Sequence, residues 1–414
     1  MQLPKYSMGV GDRFAHQGKA QLAAIMQAKG QGVTIVPVWN KSNREHQIIG
    51  TEPMSTRKEA DAAVQALGWY DAYFVDADHV GMKNVDKFIF ASNFFTLDVA
   101  DFIGQKAEDA DVASFVENQK KFVDTLHIPG IDESIEVSED QIKQIAEKYL
   151  FAVQEAGRVY RHIIEQKGND DFVAEVSMDE TDEPQTPVEL FFILAAIAQE
   201  GIPAQTIAPK FTGRFNKGVD YVGDVAQFAK EFESDVAVIQ MAIREFDLPE
   251  SLKLSVHSGS DKFAIYPAIK AALKKFDAGL HLKTAGTTWL EELIGLAEAG
   301  GSGLKIAKEV YAAAYQRFDE LCKPYATVID IDPSQLPTPE TVNGWSGELY
   351  AKTLRHEQTC EAYNPHFRQL LHVGYKVAAE MGDRFLNALK ENEHVIATHV
   401  SENVYDRHIC RLFI

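Results

Sequence analysis

The chain contains, at residues 73–79, the stretch Tyr73-Phe74-Val75-Asp76-Ala77-Asp78-His79. A short apolar run of this kind is typical of a buried parallel strand, because parallel strands are covered on both faces. Seven other stretches share this β-rich character, and longer helical patterns separate them. The eight predicted strands are Met8–Gly11, Val33–Trp39, Tyr73–Asp78, Phe94–Val99, Phe172–Met178, Gln205–Pro209, Leu252–His257 and Leu280–Thr284.

Eightfold alternation of strands and helices predicts an α/β fold of the (β/α)8 or TIM-barrel type. The clearest predicted helices are Gln17–Lys29, Arg57–Leu67, Val188–Gln199, Lys262–Phe276 and Trp289–Ala299. We expect Thr56 to cap the second, with Glu59 at the capping-box spacing, and Pro187 to lie in the first turn of the third. The alternative is a large doubly wound sheet, but Gly9-Val10-Gly11 lacks the third glycine of a dinucleotide-binding loop.

Two regions exceed a simple barrel. Residues 105–170 predict a charged, helical insertion after the fourth strand, and residues 301–414 predict a mainly helical C-terminal extension. Because repeats and Pro/Gly-rich linkers are lacking, we expect one elaborated domain over residues 1–414.

Composition narrows the functional classes. The formal net charge of −20 argues against a nucleic-acid partner, since phosphate binding needs a basic face. The sequence contains no run of about 18 apolar residues, so we expect no membrane span. The start Met1–Lys5 lacks the profile of a signal peptide. The widely spaced Cys322, Cys360 and Cys410 indicate reduced thiols, so we expect a cytoplasmic protein. A small anionic partner is compatible with the negative net charge, because a few local Lys and Arg residues are enough to bind it. Homo-oligomerisation stays open.

Catalytic groups of a (β/α)8 barrel lie at the C-terminal ends of its strands. Polar residues cluster at the predicted strand ends, as this rule requires. These clusters are Asp12-Arg13, Asn40–Arg44, Asp78-His79, Asp179–Thr181, Lys210-Phe211, His257–Ser260, and His281 with Lys283.

The histidines among these strand ends suggest a divalent-metal site. The predicted ligands are His79, His257, His281 and Glu180, since neutral imidazole and carboxylate suit zinc and similar ions. Glu175 and Asp179 are the rival carboxylates. Zinc is the first choice, while Mn, Ni, Co and Fe fit the same ligand types. The structural alternative for each residue is an ordinary polar turn, a helix cap or a strand histidine.

Other strand-end residues suggest catalysis and substrate binding. Asp78 beside His79 is placed to move a proton, and Asp179 and Lys283 complete the predicted catalytic set. Lys283 shares a strand face with His281, so a buried Lys283 would need a charged partner. The residues predicted to bind an anionic substrate are Asn40, Lys41, Arg44, Lys210, Ser258, Ser260 and Lys262, with Arg214 and Lys217 as further cations. Each cation has a solvated surface charge as its alternative.

The remaining histidines stay outside the predicted site. His356, His366 and His372 share no ligand face at their spacing in a helical region, and we interpret them as structural. His394, His399 and His408 are unassigned.

Several of these stretches resemble the tagaturonate epimerase family. They are Tyr6–Phe14, Trp39–His46, Phe74–His79, Ser177–Thr181 and Ala208–Phe211, and the similarity extends from about residue 6 to about residue 300. Asp78-His79 and His257-Ser258-Gly259-Ser260 are also similar, more distantly, to strand ends of class II aldolases. Ser258 replaces a glycine there, which argues against a phosphate loop.

The first resemblance implies a metal-dependent barrel that interconverts D-tagaturonate and D-fructuronate in hexuronate catabolism. The inverted carbon lies β to the ketone, so its hydrogen is not acidic, and a retro-aldol cleavage explains the inversion. The metal would polarise the ketone and stabilise the enediolate, and Asp78 would take the hydroxyl proton. Oxidation by a bound nicotinamide is the rival mechanism, but no convincing dinucleotide motif supports it.

Two other functions stay open at this stage. One is a metal-dependent aldolase or isomerase for another keto-sugar, which product analysis would separate from an epimerase. The other is an inactive carbohydrate-binding barrel, which would not need metal ligands on separate strands.

Overall fold

Eight parallel strands close into a barrel in a computed structural model that describes residues 1–131, 135–181 and 183–414. All eight predicted strands are present with shifts of a few residues at their ends, which confirms the (β/α)8 barrel. The barrel strands are β1 Tyr6–Val10, β2 Val36–Ser42, β3 Phe74–Val80, β4 Phe94–Asp98, β7 Val173–Ser177, β8 Ala204–Ala208, β9 Lys253–His257 and β10 Leu280–Lys283. They are hydrogen-bonded in the closed order β1-β10-β9-β8-β7-β4-β3-β2.

Helices follow the strands and form the outer layer. Those of the barrel region and its insertion are α1 Gly18–Gly30, α2 Asn43–Ile49, α3 Pro53–Leu67, α4 Asp109–Gln119, α5 Glu139–Lys167, α6 Pro187–Gln199, α7 Val225–Phe246, α8 Tyr266–Phe276 and α9 Thr288–Ala299. Thr186 caps α6 in a capping box with Glu189, and Pro187 occupies its first turn as expected.

The predicted cap of the second helix is wrong. Helix α3 begins at Pro53 after Glu52, so Thr56 lies inside the helix and is buried. Proline at the first helical position costs no hydrogen bond, and that start signal outweighs the capping-box spacing. The predicted helix from Lys262 also begins later, since a 3₁₀ turn at Phe263–Ile265 precedes α8.

The insertion between β4 and β7 contains α4, α5 and a two-stranded hairpin that the sequence patterns did not predict. The hairpin consists of β5 Asp124–Leu126 and β6 Ile135–Val137, which pair antiparallel. Helix α5 packs against α4 and α6, which ties the insertion to the barrel wall. The single-domain organisation stays a prediction.

Residues after α9 are helical, as expected. The helices are α10 Gly301–Gln316, α11 Phe318–Cys322, α12 Pro339–Asn343, α13 Gly347–Leu354, α14 Pro365–Val373, α15 Tyr375–Glu380, α16 Asp383–Glu391, α17 Glu393–Glu402, a π-helix at Asn403–Ile409, and α18 Cys410–Leu412. They bury Tyr311, Phe367 and Ile396 in one apolar cluster with Leu22 of α1 and Trp289 of α9. The extension therefore shares a core with the barrel helices.

The barrel interior changes character along its axis. An apolar layer of Leu3, Val36, Val38, Phe74, Phe94 and Val173 fills one end. Toward the C-terminal ends of the strands the interior becomes polar. Within the described ranges, no helix is long and apolar enough to cross a membrane.

Candidate active site

Charged side chains line the C-terminal end of the barrel interior. Because side chains alternate across a strand, residues two apart share a face, and Asp76 and Asp78 of β3 both point inward. Thr96 of β4 pairs directly with Glu175 of β7 in the parallel register. Lys283 ends β10 on the same inner face. The strand alternation thus brings five polar side chains to the inner face at this end of the barrel.

Lys283 is the centre of this group. Its Nζ lies 2.8 Å from Asp76 Oδ2, 2.9 Å from Asp78 Oδ1 and 3.0 Å from Glu175 Oε1. It also donates to Thr96 Oγ1 at 2.6 Å. The Asp78 side chain is 15% exposed, whereas those of Asp76 and Glu175 are fully buried. Three carboxylates therefore supply the charged partners that a buried Lys283 needs.

This contact network separates the carboxylates in acidity. Burial raises the pKa of Asp76 to about 7, although Lys283 opposes it. Burial also raises the pKa of Asp78, but Lys283, His79 and His257 outweigh burial and hold it at about 2. Asp78, the one of the three nearest to solvent, is therefore ionised at neutral pH.

His257 ends β9 between two carboxylates. Its Nε2 lies 2.8 Å from Glu175 Oε1, and its Nδ1 lies 3.2 Å from Asp179 Oδ1. Burial lowers the pKa of His257, but Asp179 and Glu175 outweigh burial and Lys283 and raise it to about 9.

His79 meets His257 edge-on, with ring centroids 5.2 Å apart. Its Nδ1 lies 3.1 Å from Asp98 Oδ2 at the end of β4. Burial lowers the pKa of His79, but Asp78, Asp98 and Asp179 raise it to about 10. The two imidazoles thus share one concentration of negative charge.

A bulge in β3 sets the direction of His79. The register with β4 shifts between Ala77 and Val80, and His79 has a φ of 51°. A left-handed conformation costs a non-glycine residue about 1–3 kcal/mol and is concentrated at functional sites. The bulge interrupts the alternation, so that His79 and Asp78 both reach the site.

Two groups of side chains have metal-ligand spacing. His79, Asp179 and His257 each offer one ligand atom, and these atoms lie within 4.8 Å of one another. His79, Asp98 and Glu180 form the second group. The structure therefore brings together the predicted ligands His79 and His257 with Asp179, one of the two rival carboxylates, and places Glu180 in the alternative group with His79.

The structure does not bring His281 to these groups. His281 is fully buried two residues before Lys283, and its Nδ1 lies 2.9 Å from Ser7 Oγ. Burial lowers its pKa to about 3. Alternation correctly puts His281 on the inner face, but one layer too deep to join His79 and His257. His281 therefore belongs to neither of the two groups.

The substrate-binding residues predicted on β2 and α2 lie in three different environments. Asn40 is buried beside Asp76 in the register of β2 and β3. Lys41 points to the other face, is buried, and donates to the Arg13 carbonyl at 2.9 Å. Arg44 is exposed, with its guanidinium 5.7 Å from the Tyr325 ring centre. The three residues do not form one binding surface.

The predicted residues after β9 form a closed loop over the end of β10. Ser258 Oγ donates to the Lys283 carbonyl at 2.7 Å. Ser260 Oγ receives Lys262 Nζ at 2.8 Å. Lys210, after β8, is half-buried, and its backbone N–H donates to the Gln185 side chain at 2.6 Å. Ser258 and Ser260 thus fix the loop that carries Lys262.

The C-terminal extension holds this loop from outside. Asp261, fully buried, accepts from Arg368 Nη2 of α14 at 3.0 Å and lies 3.2 Å from His356 Nδ1. Arg368 also donates to the Gly218 carbonyl at 2.6 Å. Arg368 and the helix that carries it have no local sequence signal for this role. Asp98 was also missed, although its position at the end of β4 could have indicated it.

Barrels that concentrate acid–base groups at this end of their strands are enzymes, and the fold and site place the chain in that class. A profile of the tagaturonate epimerase family matches residues 1–412. The chain belongs to this family and is therefore an isomerase of the epimerase type.

Individual relatives agree with the family match. The chain is 28% identical to the tagaturonate/fructuronate epimerase of Thermotoga maritima, over 97% of this chain and 80% of the relative. Two crystal structures of the fructuronate-tagaturonate epimerase UxaE from Cohnella laeviribosi share its fold at 23% identity. The native form has a TM-score of 0.81 and the form with two glycerols 0.82, each covering 100% of this chain and 82% of the other.

Proposed function

We propose that the chain interconverts D-tagaturonate and D-fructuronate in hexuronate catabolism by metal-dependent retro-aldol chemistry. The observation that carries this proposal is the contact between two functional groups in one barrel mouth. Glu175 touches both Lys283 of the charge network and His257 of the histidine group. A proton-moving carboxylate and a metal-ligand set are therefore neighbours, as retro-aldol cleavage of a ketose requires.

His79, Asp179 and His257 are the residues that would hold the ion. Two imidazoles and a carboxylate form a normal three-residue set for a catalytic divalent metal. His257 Nδ1 is a buried nitrogen without a well-aligned hydrogen bond to any described residue, which fits a ligand atom. Zinc is our first choice, and Mn, Ni, Co or Fe would suit the same ligands. When bound, such an ion polarises the substrate ketone and stabilises developing enediolate charge.

Asp78 is the residue that would accept the hydroxyl proton. It is ionised and reaches the barrel mouth, and its partner Lys283 also contacts Asp76 and Glu175. As the proton leaves, the hydroxyl oxygen forms the aldehyde and the bond between the α and β carbons breaks. The electron pair of the broken carbon–carbon bond moves toward the ketone, and that fragment becomes an enediolate. Rotation of the aldehyde and the reverse steps return the epimer without any other reactant.

The test of the reaction uses purified enzyme and D-tagaturonate, with chromatography for D-fructuronate. We expect product with the metal-replete enzyme and its loss after chelation or in His79→Ala, with metal content measured in both. Release of three-carbon fragments instead of the epimer would favour an aldolase. If the enzyme holds metal but forms neither, the proposed substrate is wrong.

The test of the mechanism uses substrate deuterated at the inverting carbon. Retro-aldol cleavage leaves that C–H bond intact, so we expect only a small secondary isotope effect. Transient oxidation breaks the bond, and a large primary effect would therefore overturn the retro-aldol route.

The setting of the reaction belongs to the same proposal. We place the enzyme in the cytoplasm, with a small uronate as its partner. All three cysteines are free thiols, which suits a reducing compartment. Growth-phase fractionation with an antibody would test the location.

A further inference from the structure

Two lysines meet beside the loop that follows β9. Lys262 is fully buried, and its Nζ donates to Ser260 Oγ at 2.8 Å and, over longer distances, to the backbone carbonyls of Asp261 at 3.3 Å and Ser260 at 3.5 Å. The same hydroxyl accepts the Gly218 N–H at 2.9 Å, so the loop carrying Lys217 is tied to it. A Cβ built on Gly259 would lie 3.3 Å from Lys217 Nζ. The lysines therefore converge from two different strand ends.

His372 of α14 lies against the loop that carries Lys217. It is buried, and within the described part of the chain its Nδ1 has no hydrogen-bond partner. Its Cβ would lie 3.2 Å from a Cβ on Gly218, and its Cε1 would lie 3.3 Å from one on Gly286. The pKa of His372 is held well below its ordinary value. Burial is the largest cause, and the nearby cations add to it in the order Arg13, Lys217, Arg368 and Lys262. A neutral imidazole thus stands among cations.

The carboxylates nearest to Lys262 are already bound to other groups. Asp261 is bound to Arg368 and His356. Asp220 accepts the backbone N–H groups of Tyr221 and Ala264. Neither comes within the 4.0 Å ion-pair distance of Lys262.

The two lysines accordingly lack a counter-ion. Among residues 1–131, 135–181 and 183–414, neither Lys217 nor Lys262 forms an ion pair within 4.0 Å. Burial lowers the pKa of Lys262 to about 7, although Asp261 and Asp220 oppose it. A desolvated cation such as Lys262 is costly without a charged partner, and an anion bound beside it would supply one.

We propose that Lys217, Lys262 and His372 form the subsite for the carboxylate of the sugar substrate. This inference rests on the proposed function. The subsite adjoins the catalytic group, because Ser258 Oγ and the Gly259 N–H both bind the Lys283 carbonyl, at 2.7 and 3.1 Å. Lysine supplies charge to a carboxylate, and the imidazole adds a directional hydrogen bond.

Retro-aldol chemistry gives this subsite a second role. In a 2-ketohexuronate the bond that breaks joins C3 and C4, so the carboxylate leaves with the C4 aldehyde. That fragment must expose its other face without escaping. A carboxylate held by Lys217, Lys262 and His372 would fix one end of the fragment while C4 turns, which is an intramolecular positioning effect.

The experiment compares D-tagaturonate with D-tagatose, in which a CH2OH replaces the carboxylate. Lys217 is half-buried, so Lys217→Met should fold, and Lys230→Met on the exposed face of α7 is the matched loss of one lysine. We expect kcat/KM for D-tagaturonate to fall about 10- to 100-fold in Lys217→Met, since a charged hydrogen bond contributes about 1.5–3 kcal/mol. The value for D-tagatose should change by less than about threefold, as should both values in Lys230→Met.

Equal losses on both sugars would show a structural role for Lys217 and overturn the subsite, and so would unchanged turnover of D-tagaturonate. Calorimetric titration of wild type and Lys217→Met with the two sugars separates the subsite from the proposed function. If wild type binds D-tagaturonate through Lys217 but does not epimerise it, the function fails and the subsite stands. If that binding does not depend on Lys217, the subsite fails.

Discussion

Replacing Lys283 by methionine tests the charge network at its centre. The substitution keeps most of the side-chain volume and removes the ammonium that contacts Asp76, Asp78 and Glu175. Breaking a buried ion pair from one side costs about 3–5 kcal/mol, because the remaining charge is uncompensated. Unfolding entropy of about 2.1 cal/mol/K per residue amounts to roughly 0.9 kcal/mol/K for 414 residues, so Tm should fall by about 3–6 °C.

The pH dependence of this loss is diagnostic. In the wild type, the pKa of Asp78 is depressed to about 2, so its contribution is present above the unfolded value of 3.8 and disappears as pH falls toward 2. Without Lys283 the buried carboxylates instead take up protons, and stability declines as pH rises from 5 to 8. The difference in Tm between wild type and variant should therefore widen over that range.

Differential scanning calorimetry at pH 5.0, 6.5 and 8.0 measures the effect. Lys275→Met is the control, since Lys275 pairs with Glu233 on the surface, and exposed pairs contribute about 0–1 kcal/mol. A Lys283→Met protein as stable as wild type at pH 8.0, or a loss of Tm that does not depend on pH, would show that Lys283 does not neutralise these carboxylates.

Three further outcomes follow from the structure. His281→Gln should keep its metal, while His257→Gln should lose it. The metal content of both purified proteins is measured by inductively coupled plasma mass spectrometry, and loss of metal from His281→Gln would contradict the prediction. Asp98→Asn should weaken metal affinity about 10- to 100-fold, because Asp98 orients His79, and chelator competition against wild type decides this. Burial raises the pKa of Glu59 to about 8, so folding favours its protonated form, and stability is lost as pH rises from 4.5 through 8. Glu59→Gln should then stabilise by up to about 3 kcal/mol at pH 7 and little at pH 4.5, and equal urea midpoints at pH 7 would contradict this.

The strand positions were predictable because each barrel strand buries both faces and so forms a nearly continuous apolar run. The hairpin β5–β6 was not, since its three-residue strands carry too short a pattern. The start of α3 was misplaced for a related reason. A capping-box spacing at Thr56 competes with Pro53, and sequence spacing does not say which signal operates.

The sequence predicted which strand ends contribute to the site, but it did not predict how deep in the barrel each side chain lies. Alternation puts His281 and Lys283 on one face, but only the barrel register shows that His281 lies one layer below the site. The bulge that turns His79 into the site, with φ of 51°, likewise has no marker in the residues around it.

The sequence by itself determined the eightfold alternation, the acidic composition and the polar strand ends, because these depend on local periodicity and on side-chain chemistry. Tertiary packing alone brings Asp179 to His79 and His257, and His372 of the C-terminal extension to the loop that carries Lys217. Those associations join residues as many as 178 positions apart, as from His79 to His257. The closure of the barrel and the packing of α14 bring such residues together, and neither leaves a periodic trace in the chain.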